Sequence, residues 1–159
     1  CLSTRCQRRR LARSSGSACG REAEGVVFEF QQKVLFKHCD PAGIVFYPRY
    51  FEIINDCVEA FFDKVLGWPF ETLLKDGGVP TVQIATEFKA PNRHGDWLLL
   101  QLHVAKLGRT SMSLEIAAST EGEARFEVKQ TLVCVDKAGK PRVWPEAVQD
   151  MLKAKGTDQ

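Results

Sequence analysis

From Val26 to Lys37 apolar and polar residues alternate. Phe28, Phe30, Val34 and Phe36 share one face with Gln32, while Glu29, Gln31, Lys33 and Lys37 take the other. A period of two predicts a half-buried strand, and the turn residues Asp40-Pro41-Ala42-Gly43 end it. The period then changes. Pro48 suits the first position of a helix, where its missing N–H costs nothing. From there to Leu66 the apolar set Tyr50, Phe51, Ile53, Ile54, Cys57, Val58, Phe61, Phe62 and Val65 leaves only a narrow polar stripe of Glu52, Asn55, Asp56, Glu59 and Asp63. Such a pattern predicts a helix buried on most sides, stopped by Gly67 and Trp68-Pro69.

A short helical or irregular piece, Phe70 to Asp76, leads through Gly77-Gly78 to strand-like runs at Val79–Lys89, Trp97–Leu107, Thr110–Thr120 and Ala124–Val135. Gly108-Arg109 and Glu121-Gly122-Glu123 are the hairpin turns between the last three. Pro145 to Lys155 reads as a small helix. The expected order is strand, long helix, then four strands in a meander. One antiparallel sheet curled around one helix, an α+β layering, satisfies it. Exposed sheet edges invite pairing with a second chain, so a dimer is expected.

The 159 residues suit one domain, and a hydrophobic content of 44% is enough for a core. No run approaches the roughly 18 apolar residues a membrane span needs. The net charge of +2 is unevenly placed. Residues 1–25 carry six arginines against Glu22 and Glu24, a net of +4, which leaves −2 for the rest. This Arg-, Ser- and Gly-rich stretch is expected to be a flexible tail. Its composition also fits an organelle transit peptide, but it has no secretory h-region. It does not begin with Met, and is expected to be an extension upstream of the true start or a stretch foreign to the natural chain. Basic arms bind phosphates, but no basic or aromatic stripe in residues 26–155 continues this one, so no nucleic-acid partner is expected. None of Cys39, Cys57 and Cys134 forms a C-x-x-C pair. Free thiols and a cytoplasmic location are therefore the expectation.

The densest candidate chemistry is 35-LFKHCDPAGIVFYPRY-50. In an extended segment His38 and Asp40 share a face and Cys39 points away, which disfavours a Cys39–His38 dyad. The triplet offers no metal-ligand spacing, so no metal is expected. Asp40 is different. It lies within reach of a helix N-terminus, whose unpaired N–H groups favour developing negative charge. A carboxylate beside such a site is a layout for acyl transfer. A capping role for Asp40 explains the same position.

These residues carry a family resemblance. HCDPAGIVFYPRYFEIIND resembles the active-site signature of the 4-hydroxybenzoyl-CoA thioesterase family, the hotdog-fold acyl-CoA thioesterases, through Asp40, Ala42, Gly43, Val45, Phe46, Tyr47 and Tyr50. The stretch GVPTVQIATEFKAPNRHGDWL, 78–98, resembles the strand that leads to the family's P-x-R-x-x-D turn. The likeness covers roughly residues 27–146. It implies a hotdog fold, a five-stranded antiparallel sheet wrapped around one long central helix, and acyl-CoA hydrolysis to free acid and CoA. Asp40 would be the catalytic carboxylate, as nucleophile or as general base, on a loop that includes Gly43. The Tyr47 backbone N–H would hold the thioester oxygen; some relatives carry histidine there.

By the same resemblance Lys106, Arg109 and Ser111, around the turn 107-LGRTS-111, match a basic turn that contacts coenzyme A. Arg93 and His94 are weaker candidates. Asn55 could line the acyl end of the pocket, and Glu59 is an alternative base. Coenzyme A enters as part of the substrate, with no separate cofactor, and the family's pocket at a subunit interface implies a homodimer or homotetramer. The rival readings are a non-catalytic hotdog domain binding an acyl thioester or partner protein, and a dehydratase using His38.

Overall fold

Residues 27–156 are described by the structure, a computed structural model. The expectations for the tail, 1–25, lie outside the described residues. The first strand, β1, spans Phe28–Lys33, shorter than the alternation predicts. Its partner strand begins at Trp97, opposite Lys33, so Val34 has no ladder left. Its N–H goes instead to the Asp96 carbonyl at 2.8 Å. The chain then tightens into a 3-10 turn at Phe36–His38. Asp40 therefore lies beyond a turn, not at the end of a strand.

Helix α1 runs over Pro48–Lys64. Its buried residues Tyr50, Ile53, Ile54, Cys57, Val58, Phe61 and Phe62 form one stripe at helical spacing. Phe51, Asn55, Asp56, Glu59 and Asp63 are exposed. The expectation of burial on most sides is corrected: in the single chain one face of α1 is open. After α2 (Phe70–Leu73) comes a two-residue strand β2, Gly77–Gly78, paired with β7, Val135–Asp136. A side chain at Gly77 would meet the Val135 carbonyl oxygen at 2.0 Å, so only glycine fits there.

The long strands are β3 (Thr81–Phe88), β4 (Trp97–Leu107), β5 (Ser111–Thr120) and β6 (Glu123–Val133), and the chain ends in α3, Glu146–Gly156. The five-stranded sheet has the order β1-β4-β5-β6-β3 and is antiparallel throughout. Only β4-β5-β6 is a meander; the expected four-strand meander is corrected at β3. That strand cannot sit beside β4, because β1 already occupies β4's free edge from Phe28↔Leu102 to Lys33↔Trp97. It crosses to the far edge and pairs with β6, Phe88 opposite Phe126.

Leu98, Leu100 and Leu102 of β4, Met112, Leu114 and Ile116 of β5, and Phe126, Val128 and Leu132 of β6 face the helix and are buried. This is the hotdog arrangement, a five-stranded antiparallel sheet wrapped on one long helix. Edge strand β3 stays uncovered, with Val82 60%, Ile84 38% and Phe88 44% exposed. No helix among the described residues is long and apolar enough to cross a membrane.

Candidate active site

Residues 38–46 form a small hairpin between the 3-10 turn and α1. The Asp40 N–H donates to the Ile44 carbonyl at 2.9 Å, the Gly43 N–H to the Asp40 carbonyl at 2.9 Å, and the Phe46 N–H to the His38 carbonyl at 2.9 Å. Gly43 closes the turn with φ +78°, a conformation that side-chain-bearing residues rarely adopt. The Asp40 carboxylate sits inside this turn, its Oδ1 accepting the Ala42 N–H at 2.8 Å. The capping role is thus realised at one oxygen. Oδ2 has no partner among the described residues.

The start of α1 supplies the complementary group. Pro48 has no N–H to offer. The Arg49 N–H turns back to the Phe46 carbonyl at 2.8 Å and the Tyr50 N–H to that of Tyr47 at 3.1 Å. That leaves the Tyr47 N–H without an acceptor among the described residues, at the positive end of a 17-residue helix. Beside it opens a cavity of about 450 Å³ lined by Val45, Tyr47, Tyr50, Phe88, Ala90 and Pro91, with Lys89 at its rim. Asp40 is not in the lining; the Ile44–Val45 leg of its hairpin connects it to the wall. Lys89 is itself engaged, 3.3 Å from Glu87 and 3.7 Å from Glu127.

Burial separates His38 and Cys57 from this chemistry. His38 is 3% exposed, and its Nδ1 accepts the Leu35 N–H at 3.0 Å. Burial, then the neighbouring Lys37, lowers its pKa, so the ring is a neutral acceptor that stiffens the 3-10 turn. Like Asp40, it does not line the cavity, and its one ring hydrogen bond among the described residues is spent on the turn. The Cys39 thiol lies 3.7 Å from the Leu35 carbonyl, and burial pushes the Cys57 thiol up to about 12. Among the described residues no group of three or more His, Cys, Asp or Glu could hold a metal ion.

Asp40 and Gly43 share one hairpin, which leads into Tyr47 at the helix start. The remaining candidates lie elsewhere. Lys106, Arg109 and Ser111 cluster at the far end of β4, an 11-residue strand that at about 3.3 Å per residue is roughly 35 Å long. There the Gly108 N–H and the Trp144 indole Nε1–H both donate to the Ser111 carbonyl, at 2.8 and 3.2 Å. Asn55 and Glu59 lie on the open face of α1, away from the cavity; Glu59 lines a separate hollow with Phe30, Asp56, Ala60, Asp63 and Phe70. Arg93 and His94 are exposed, and the His94 ring meets Phe36 edge-on at 6.2 Å.

Sequence reasoning passed over Asn92. It is fully buried and holds Tyr50, Asp96 and Thr120 together. The available signal was an amide flanked by Pro91 and Arg93 in a turn that ends in aspartate.

Fold and helix-start hairpin together define a hotdog-fold protein, and comparison with known proteins narrows this. The sequence profile of the thioesterase-like superfamily matches residues 34–152, and the chain belongs to that family. A 1,4-dihydroxy-2-naphthoyl-CoA hydrolase of Synechococcus elongatus is 25% identical over 130 residues, 79% of this chain and 95% of that protein. Among solved structures, BH1999 gentisyl-coenzyme A thioesterase is 28% identical with a TM-score of 0.70, covering 78% of this chain and 99% of its own. The 4-hydroxybenzoyl CoA thioesterase of Pseudomonas sp. strain CBS-3 superposes with a TM-score of 0.72 at 22% identity, over 79% and 98% of the two chains; at that identity the likeness speaks for the fold.

Proposed function

We propose that this protein hydrolyses acyl-CoA thioesters, with water adding to the thioester carbonyl to give a free acid and the thiol of coenzyme A. The observation that carries the reading is a hairpin holding Asp40, one carboxylate oxygen of which has no partner among the described residues, that leads directly into the helix start, where the Tyr47 N–H is unpaired beside an apolar cavity. The thioester oxygen would lie at the Tyr47 N–H, where the helix dipole favours the charge that develops as the carbonyl becomes tetrahedral. Asp40 would attack that carbon, giving a mixed anhydride that water opens, or would take the proton of an attacking water. Tyr50 and Phe88 in the cavity wall favour an aryl group over a long alkyl chain, and the names of the curated relatives point the same way. The chain's own groups supply every step, with no separate cofactor.

The reading includes a homodimer formed along β3, or a tetramer of such dimers. A two-fold axis normal to the sheet pairs β3 antiparallel with its copy. The Phe88 end of one chain, beside Asp40's hairpin, then adjoins the Thr81 end of the other, where the 107–111 turn lies. Lys106, Arg109 and Ser111 of one chain would thus bind the CoA phosphates at the other chain's Asp40. The capped Oδ1 favours a second reading, a non-catalytic domain that binds the thioester. Thiol release from a panel of aryl- and alkyl-CoA esters separates the two. Turnover of hydroxyaryl-CoA above alkyl-CoA supports the hydrolase, and binding without turnover of any ester supports the alternative.

A further inference from the structure

The turn Pro91–Asp96 carries no reacting group, yet it holds the densest buried polar cluster near the candidate site. At its centre Asn92 is 0% exposed. Its Oδ1 accepts the Tyr50 hydroxyl at 3.1 Å, and its backbone N–H donates back to that hydroxyl at 3.1 Å. Its Nδ2 donates to Asp96 Oδ2 at 3.2 Å and to Thr120 Oγ1 at 2.8 Å. A carboxylate only accepts, so Asp96 dictates which end of the amide faces it. Asp96 Oδ2 also takes the Arg93 N–H at 2.9 Å, closing the turn. Both amide protons, the amide oxygen and both functions of the phenol are used. A buried network satisfied in this way is stiff, and losing one member leaves the others unpaired.

The stiffness is delivered to the catalytic hairpin. The Asn92 carbonyl accepts the Val45 N–H at 2.9 Å, and Ile44 forms an isolated bridge with Arg93. Val45 follows the residue whose carbonyl holds the Asp40 N–H. On the other side Tyr50 lies in the first turn of α1, with its ring 4.9 Å from Phe126 and 5.4 Å from Phe88. Asn92 thus grips both components of the site, the Asp40 hairpin through its backbone and the Tyr47 helix start through its side chain.

We propose that Asn92, oriented by Asp96 and Thr120, is a positioning residue that fixes the Asp40 hairpin against the start of α1 and thereby sets the turnover rate. The proposal rests on the hydrolase reading above. Thr120 closes β5, does not line the cavity, and joins the network through the hydrogen bond that Asn92 donates to it. Thr120→Val removes the acceptor at nearly constant volume, and Thr120→Ser keeps it. Displacing reacting groups by about 1 Å costs about a hundredfold.

The expected result for Thr120→Val is a kcat about 10- to 100-fold lower with KM within about twofold, and for Tyr50→Phe, whose ring also lines the cavity, a kcat lowered by a similar factor; Thr120→Ser restores kcat. Hydrogen exchange of the Val45 amide should accelerate by about tenfold or more in both, with the Leu114 amide unchanged. Wild-type kcat and Val45 exchange in both variants would overturn the proposal, as would a loss of protection spread evenly through β5. If wild-type protein turns over no thioester, the hydrolase reading fails and with it the effect on rate. Val45 exchange still decides whether Asn92 holds the hairpin.

Discussion

The two ends of the sheet each present a loop with candidate chemistry, and they are held in different ways. At the Asp40 end, a buried amide spends every hydrogen-bonding group on fixing the hairpin and the helix start. At the 107–111 end, the turn leans on Trp144, an apolar slab 6.4 Å from Phe62. Its indole N–H reaches the Ser111 carbonyl at 3.2 Å, and its backbone N–H reaches the Arg109 carbonyl at 3.3 Å. Both ends use hydrogen bonds, which fix direction as well as distance; at the Asp40 end they form a buried network of side chains bonded to one another, whereas those from Trp144 reach backbone carbonyls singly. The difference matches the tasks proposed for the ends. Attack on a carbonyl tolerates little displacement, while a flexible phosphate chain can be met by exposed Lys106 and Arg109 over a range of positions.

This contrast can be broken by experiment. The largest expected effect falls on the proposed dimer, which would join these ends across neighbouring chains. Val82→Asp with Ile84→Asp would set like charges across the proposed β3–β3 edge, at a cost of several kcal/mol. Sedimentation should show a dissociation constant raised by about a hundredfold or more, with activity following the dimer fraction. Next, Trp144→Ala should lower stability to urea by about 3–5 kcal/mol, while Trp144→Phe, which loses one hydrogen bond, should cost about 1 kcal/mol. Arg109→Ala should raise KM for CoA esters about tenfold, or about 1.4 kcal/mol, with kcat within about twofold. A fall in kcat instead would put Arg109 at the reacting centre.

The smallest effect concerns His38, whose pKa is lowered by burial and by Lys37, with Arg49 adding to the shift and Glu52 and Asp56 opposing it. The folded protein holds fewer protons there than the unfolded chain, so stability is full above the ordinary value of 6.5 and declines as pH falls below it. A melting temperature that falls from pH 7.5 to pH 5.5 in wild type, and falls less in His38→Gln, would bear this out.

Much of this molecule is legible in the sequence where a single period governs. The runs predicting β4, β5 and β6 end within two residues of the observed strands, because each has a buried face and its alternation is clean. The α1 pattern located the helix but overstated its burial. Phe51 sits on the face left open in one chain, and composition cannot tell a face covered by the same chain from one left for a partner. The crossing of β3 depends on β1 having already taken the edge of β4, a long-range choice that leaves no local trace. In the candidate site, the local frame around Asp40, Gly43 and Tyr47 was legible because turn, glycine and helix start are neighbours in sequence. Asn92 was not, since its partners Tyr50 and Thr120 lie 42 and 28 residues away.

The most direct measurement is the release of free CoA thiol from an aryl-CoA ester by wild type beside Asp40→Asn, with binding of the ester measured in parallel. A neutral amide keeps the Oδ1 cap on the Ala42 N–H but cannot serve as nucleophile or base. Turnover should fall by about a thousandfold with ester affinity within a few-fold. An Asp40→Asn protein that hydrolyses the ester at the wild-type rate would contradict the assignment of the reaction to this carboxylate.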